Sequence, residues 1–171
     1  MENAIKNRIP IHVDLLPNRD EVYSGICIKD NKSVFIFICF NEETHEYDGF
    51  AIIRSEEIEK YRYWDKEELE EIKNDNYLEF IDQLPLDNMN SFHDTLEALR
   101  EKELIAIFTS EDNDSYYVGK IDSLTETKVI LKLLSESSEW LDLVEIVIDE
   151  ITYISFDTSY ETDLMKNVLQ Q

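Results

Sequence analysis

Alternating apolar and polar positions predict short β-strands along much of this chain. In "IPIHVDLL" (residues 9–16), apolar side chains recur at every second position, a period typical of a strand with one buried face. Turn-forming residues in "PNRD" and "KDNK" separate this run from the apolar runs that follow it. The pattern along residues 1–64 therefore predicts five strands, which lie within the runs 9–16, 21–29, 33–40, 47–54 and 58–64.

A second group of five strands is predicted further along the chain, in the runs 104–110, 115–122, 128–134, 140–148 and 151–156. It resembles the first group. Tyr-Ser-Gly at 23–25 returns as Tyr-Val-Gly at 117–119, an offset of 94 residues. In the third strand the apolar residues match best at an offset of 95, and this match pairs Val34, Ile36 and Ile38 with Val129, Leu131 and Leu133. A nearly constant offset predicts a duplicated unit.

Helices are predicted between and after the two β groups. Residues 65–84 begin with Asp65 as a candidate N-cap and Glu68 three residues later, and acids fill the first turn, where the helix dipole favours them. A second helix is expected from Ser91, and a last short one within residues 158–171. We expect these helices to cover the β units, because their apolar stripes must be buried.

The predicted fold is mainly β with a helical bridge, in the α+β class. Residues 1–64 form a first small β-barrel unit, residues 65–103 an acidic helical bridge, and residues 104–171 a second small β-barrel unit with a C-terminal helix. Each barrel is expected to contain five strands in a meander.

Charge narrows the choice of partners. The chain carries 39 acidic and 16 basic residues, a formal net charge of −23. Residues 1–64 have a net charge of only −4, whereas residues 65–104 and 105–171 have −9 and −10. Such a field repels nucleic acid and anionic membranes and attracts proteins with basic surfaces. A protein partner with a basic surface is therefore expected, and a nucleic-acid or membrane partner is not.

Cysteine placement and the absence of long apolar runs predict a cytoplasmic protein. The N-terminal residues "MENAIKNRIP" lack the apolar core of a signal peptide, and no run approaches the roughly 20 apolar residues of a membrane helix. Cys27 and Cys39 lie in apolar strands, which indicates buried thiols in a reducing compartment.

Catalytic and metal-binding patterns were sought without success. His12, His45 and His93 show no metal-ligand spacing, the three glycines form no phosphate loop, and no serine lies in a nucleophile elbow. We therefore predict a non-catalytic interaction protein without cofactor or metal. A narrower alternative is an acidic inhibitor or immunity-type protein that mimics nucleic acid to block a basic nuclease.

Comparison of the two β groups isolates a candidate interaction surface. Tyr61 and Tyr63 align with the apolar residues Ile154 and Phe156, so both tyrosines are predicted to point inward. At the offset of 95, Phe37 aligns with Lys132, so Phe35 and Phe37 lie on the strand face that carries a lysine in the second group. Both are therefore predicted to lie on an outer face, either covered by a bridge helix or exposed to a partner. The candidate surface residues are Arg54, Lys60, Arg62, Trp64, Phe35 and Phe37.

The end of the first β group resembles the Sm-like family of small β-barrels, which belong to the wider SH3-like class. That family closes on a strand ending in Ile-Arg-Gly, followed by two further residues and then an Ile, and this chain has Ile53-Arg54-Ser55 and, three residues after Ser55, Ile58. The resemblance covers residues 9–64 and, through the repeat, 104–157.

In Sm-like proteins the signature Arg and an Asn just before the third strand help to bind an RNA base. The resemblance therefore implies an RNA site at Arg54, although Ser55 replaces the signature Gly and Ser33 stands at the Asn position. In the second unit Asp149 falls near the Arg position, where an acid opposes phosphate contact. Edge strands of such barrels can pair with neighbours, so a homo-oligomer is also compatible with the resemblance.

Overall fold

The computed structural model describes residues 1–16, 22–41, 43–70, 81, 84, 86–110 and 116–169. The chain divides into two compact units, residues 1–87 and 88–171. The first of these units combines the first predicted β group with much of the predicted bridge.

The first unit is built on five antiparallel strands, in the order β5-β1-β2-β3-β4. The strands are β1 (Ile11–Leu15), β2 (Val22–Asp30), β3 (Val34–Phe40), β4 (Tyr47–Arg54) and β5 (Ile58–Tyr63). Helix α1 (Glu2–Asn7) precedes them, a 3-10 turn (Ser55–Glu57) joins β4 to β5, and α2 (Lys66–Glu70) follows. A further 3-10 turn, Leu86–Asn88, lies at the boundary between the units.

The second unit has the equivalent strand order, β10-β6-β7-β8-β9, and all its ladders are antiparallel. The strands are β6 (Ile105–Ser110), β7 (Tyr116–Leu124), β8 (Lys128–Leu134), β9 (Trp140–Val147) and β10 (Ile151–Phe156). Helix α3 (Phe92–Glu101) precedes them, a 3-10 turn (Ile148–Glu150) joins β9 to β10, and α4 (Ser159–Val168) ends the described chain.

The mainly β fold and its ten strands are confirmed, but the prediction of two closed barrels is wrong. A barrel would require β4 to pair with β5, and β9 with β10. Within the described ranges neither pair forms a ladder, so each unit's sheet is open. Apolar periodicity reports that a strand exists and which face is buried. It carries no information on whether the two outer strands meet, which depends on strand tilt and stagger.

Two of the predicted helices are confirmed. Helix α3 begins after Ser91, whose hydroxyl oxygen accepts a hydrogen bond from the backbone N–H of Asp94 at 3.0 Å. Helix α4 begins after Thr158 with a capping box. Most of the third prediction, a helix over residues 65–84, lies outside the described residues, which show α2 at its start and a helical residue, Ile81, near its end. Helix α1 was not predicted, because its six residues are too few to show a clear apolar stripe.

The backbone registers of the two units correspond at an offset of 94 through the third strand. Gly25 pairs with Cys39 in the first unit, and Gly119 pairs with Leu133 in the second. The offset of 95 predicted for the third strand is therefore wrong by one residue. The apolar pattern could not fix this register, because both faces of β3 are apolar.

Candidate interaction surfaces

The third-strand register changes the environment of the two phenylalanines on β3. At an offset of 94, Phe35 and Phe37 correspond to Val129 and Leu131, which are both fully buried. Phe37 is buried as well and Phe35 is half-buried, with ring centroids 6.3 Å apart. The predicted outer-face placement is therefore wrong, and Phe37 belongs to the hydrophobic core.

Trp64 was also predicted to lie on an exposed surface, but it is only 4% exposed. Its ring stacks on His12, with centroids 5.4 Å apart, and meets Phe40 at 5.7 Å and His45 at 5.3 Å. The β1–β5 ladder ends at the Ile11–Tyr63 pair, so strand alternation no longer determines the orientation of the next side chain.

Tyr61 and Tyr63 behave in the opposite way. The ladder places Tyr61 across from Val13 and Tyr63 across from Ile11, so both tyrosines share a face with buried residues. Their side chains nevertheless remain 40% and 43% exposed, because β5 lies at the edge of the first unit's sheet. The prediction that these rings are buried is wrong. The first unit therefore has an exposed aromatic pair, which the comparison of the two β groups had assigned to the core.

The predicted cations are engaged with carboxylates. Lys60 forms an ion pair of 3.0 Å with Asp14 across the β1–β5 ladder. The guanidinium of Arg62 donates two hydrogen bonds to Glu68, at 2.9 and 3.1 Å. Nearby acids therefore offset the positive charge of Lys60 and Arg62.

Arg54 lies at the end of β4, beside the β2–β3 turn. Its half-buried side chain is 3.8 Å from Glu56. The backbone N–H of Ser55 donates to the carbonyl of Ser33 at 3.0 Å, which holds the two turns together. The Asn side chain in this turn is Asn31, and it accepts hydrogen bonds from the backbone of Ser33 and Val34.

The second unit has a different residue at the Arg54 position from the one expected. Lys128 pairs with Val147 just as Val34 pairs with Arg54. Val147, rather than Asp149, is therefore the counterpart of Arg54.

A partly buried polar chain connects α2 to the sheet of the first unit. The Ser24 hydroxyl lies 2.6 Å from His12 Nδ1, and His12 Nε2 lies 2.9 Å from Glu68 Oε1. Glu68 also accepts from Arg62 and from the backbone N–H of Asp65. These donors, Arg62 above all, lower the pKa of Glu68 to about 2.

The polar chain contains the residue types of a hydrolytic triad, but its geometry suits anchoring. Ser24 lies within β2 and is only 3% exposed, so a substrate carbonyl has no route to its hydroxyl. Glu68 fixes the first turn of α2 to β1 and β5, because its carboxylate binds side chains from both strands.

The most exposed apolar strand was missed by the sequence analysis. On β9 four large apolar side chains are 36–53% exposed, namely Trp140, Leu141, Leu143 and Val147. The signal was present in the sequence: the apolar run "GFAII" of β4 corresponds in β9 to a run that contains Asp142 and Glu145, and a strand that is buried on both faces rarely carries charged residues.

Other chemistry in the described part of the chain is limited. No group of three or more His, Cys, Asp or Glu side chains there is arranged to hold a metal ion. Cys27 and Cys39 are free thiols, and burial raises the pKa of Cys27 to about 12. Among the helices described, none has the length and apolar character needed to cross a membrane.

No protein-family model, curated protein or solved structure matches this chain. Its function is therefore inferred from its own geometry and charge.

Proposed function

We propose that this protein is a non-catalytic interaction module whose second unit binds a protein partner with a basic surface. The observation that carries this proposal is β9, a strand with exposed apolar side chains in an acidic setting. Residues 136–150 contain six acids and no base. Exposed apolar side chains concentrated on one element mark interaction sites, and the acids select a cationic partner.

The strand organisation supports a relationship between the two units. Both have the same strand order, and a β-bulge follows the glycine of the second strand in each, between Cys27 and Lys29 and between Ile121 and Ser123. We infer that the units arose by duplication from an ancestor of the Sm-like or SH3-like type, after which only the second unit kept an exposed β4-type strand.

An affinity experiment tests the function. The immobilised chain should retain a protein from a lysate of its source organism and release it as salt rises to about 0.5 M, because salt screens the attraction between acidic and basic surfaces. A Leu141→Ser/Leu143→Ser variant should lose the partner. Tyr61→Ser/Tyr63→Ser is the matched control, because it removes two side chains of similar exposure from the edge of the first unit, and it should retain the partner.

Equal retention by both variants, or no retention by the wild type, would contradict the proposal. A retained partner that proves to be a nuclease inhibited by this chain would narrow the function to an acidic inhibitor.

RNA binding by the first unit is a second candidate, supported by the exposed rings of Tyr61 and Tyr63 beside Lys60 and Arg62. Base stacking on such rings could contribute affinity. The ion pairs with Asp14 and Glu68 and the net charge of −23 oppose it. A filter-binding assay with single-stranded RNA tests this candidate. Equal retention of RNA by Arg54→Ala, Tyr61→Ala and wild type would exclude RNA binding at this site.

A further inference from the structure

We propose that β9 binds its partner by strand addition, pairing with an extended segment that carries two basic residues three positions apart, with apolar residues between and beside them. This inference rests on the proposed function and adds the binding mode and the chemistry of the partner segment.

The edge of β9 is suited to strand addition. Within the described part of the chain, β9 pairs only with β8, so one side of its backbone has no strand partner. It is eight residues long, and most of its side chains are exposed. Edge strands of natural proteins are usually short, covered or distorted, because an open edge pairs with other chains. A long, exposed, partly apolar edge is the surface that β-augmentation uses.

The register divides the side chains of β9 between two faces. The β8–β9 ladder runs without interruption from the Lys132–Leu143 pair to the Lys128–Val147 pair. Successive side chains of a strand point to opposite faces, so Leu143, Glu145 and Val147 share one face. Val144 and Ile146 lie on the other face, where Ile146 is buried. Asp142 lies at the irregularity between the Lys132–Leu143 and Leu134–Trp140 pairs, so the ladder assigns the face of Glu145 only, and the two acids are exposed and three positions apart.

This arrangement specifies the partner. Residues directly opposite each other on paired strands interact, and opposite charges or two apolar side chains are the favourable pairs. Asp142 and Glu145 would each pair favourably with a Lys or Arg of the partner. The residues between and beside them would pair favourably with apolar residues, and these are Leu141, Leu143, Val144 and Ile146. The pattern is apolar-base-apolar-apolar-base-apolar, and it reads the same in either strand direction.

A second copy of this chain does not fit that pattern. A β9 strand carries no base, so pairing β9 with β9 brings only acids together. The bases of β5, Lys60 and Arg62, are two positions apart and share one face, so they do not match acids that are three positions apart. The occupant is therefore a strand from a different protein.

Synthetic peptides test the inference on the full chain. The probe is an acetylated and amidated peptide, Thr-Val-Lys-Val-Val-Lys-Val-Thr, and the readout is tryptophan fluorescence, to which Trp140 on β9 contributes, confirmed by calorimetry. Replacing both lysines of the peptide by glutamate should weaken binding at least about fivefold, because two favourable cross-strand pairs are lost. N-methylation at alternate residues should weaken it more than about tenfold, because it removes the ladder hydrogen bonds of one peptide edge while keeping its charge.

A charge exchange tests the assigned register. Asp142→Lys should recover binding of a peptide in which only the facing lysine is replaced by glutamate. Asp142 is preferred to Glu145 for this exchange, because Glu145 already pairs with Lys128 at 2.5 Å. Asp122→Lys, at an exposed position on β7, is the matched control and should recover nothing.

Three results would overturn the inference. Equal binding of the N-methylated peptide would show surface attraction without strand addition, and would leave the proposed function intact. Failure of every peptide to bind would also overturn the inference, and it would leave the proposed function intact if the lysate partner were still retained. A dimeric or larger mass in solution that becomes monomeric in Leu141→Ser/Leu143→Ser would assign the β9 edge to a second copy.

Discussion

At the scale of single residues, two glycines explain how adjacent strands approach each other so closely. A Cβ atom added to Gly25 would lie 2.1 Å from the carbonyl oxygen of Ile38, and one added to Gly119 would lie 2.3 Å from that of Lys132. Both contacts are with the backbone of the next strand, which cannot move without disturbing its own ladder. Each unit therefore requires glycine at this position.

We predict that Gly25→Ala and Gly119→Ala each destabilise the unit that contains them. The expected loss is about 3 kcal/mol, at the upper end of the cost of overpacking a core, because the obstacle is backbone rather than a mobile side chain. Urea unfolding followed by circular dichroism measures this loss. Asp122→Ala, at an exposed position on β7, is the control and should change stability by less than about 0.5 kcal/mol. A loss below about 1 kcal/mol for both glycine variants would contradict the close approach of the strands.

At the scale of secondary-structure elements, the two units attach the helix that follows their fifth strand differently. In the first unit the carboxylate of Glu68 ties α2 to His12 and Arg62. In the second unit α4 packs through Leu164 against the buried side chains of Ile105 and Val118. Polar anchoring in one unit and apolar packing in the other fulfil the same structural role.

Polar anchoring should depend on the charge of Glu68. We therefore predict that Glu68→Gln destabilises the chain by about 1–2 kcal/mol at pH 7, near the lower end of the range of roughly 1.5–3 kcal/mol for hydrogen bonds to a charged group, because Glu68 is only partly buried. The pKa of Glu68 is about 2 in the folded state and is expected near 4.3 in the unfolded chain. A lowered folded pKa stabilises the fold above the unfolded value, and that contribution disappears as pH falls towards 2. The difference from wild type should therefore shrink between about pH 5 and pH 2.

Urea unfolding at pH 7 and at pH 3 measures this difference. Glu70→Gln on the same helix is the control, because Glu70 is exposed and pairs only with Lys66, at 3.5 Å, in the described part of the chain. A loss that is equal at both pH values would show that Glu68 acts through packing rather than charge.

The same elements show what sequence patterns can and cannot predict. Strand positions could be predicted from the sequence because alternation and turn residues are local signals, as in the run that contains Val13. The face on which Phe37 lies could not be predicted, because β3 is apolar on both sides and a shift of one residue leaves its pattern unchanged. Tyr63 was assigned to the core because it aligns with the apolar Phe156, but Tyr63 is 43% exposed whereas Phe156 is 1% exposed. Burial depends on what covers a strand face in three dimensions, and local patterns do not record it.

At the scale of the whole molecule, the distribution of charge separates two roles. In the first unit, exposed bases such as Lys60 pair with nearby carboxylates, in this case Asp14. Residues 105–171 contain 14 acids and only four bases, and three of those bases, Lys120, Lys128 and Lys166, pair with Glu103, Glu145 and Asp163. This part therefore has ten more acids than bases, and the excess generates the field that would attract a basic partner.

An excess charge of this size should also weaken the fold itself, and this effect gives a final prediction. Like charges repel more strongly in the compact state than in the unfolded chain, and salt shortens the range of that repulsion to about 8 Å at physiological ionic strength. The Tm should therefore rise as NaCl increases from about 0.01 to 0.5 M, because the repulsion among 23 uncompensated charges outweighs the few exposed ion pairs that salt also weakens. Differential scanning calorimetry measures this change, and sucrose of matched osmolality separates screening from a general solute effect. A Tm that falls with salt would mean that ion pairs such as Arg62–Glu68 dominate the electrostatic stability of the chain.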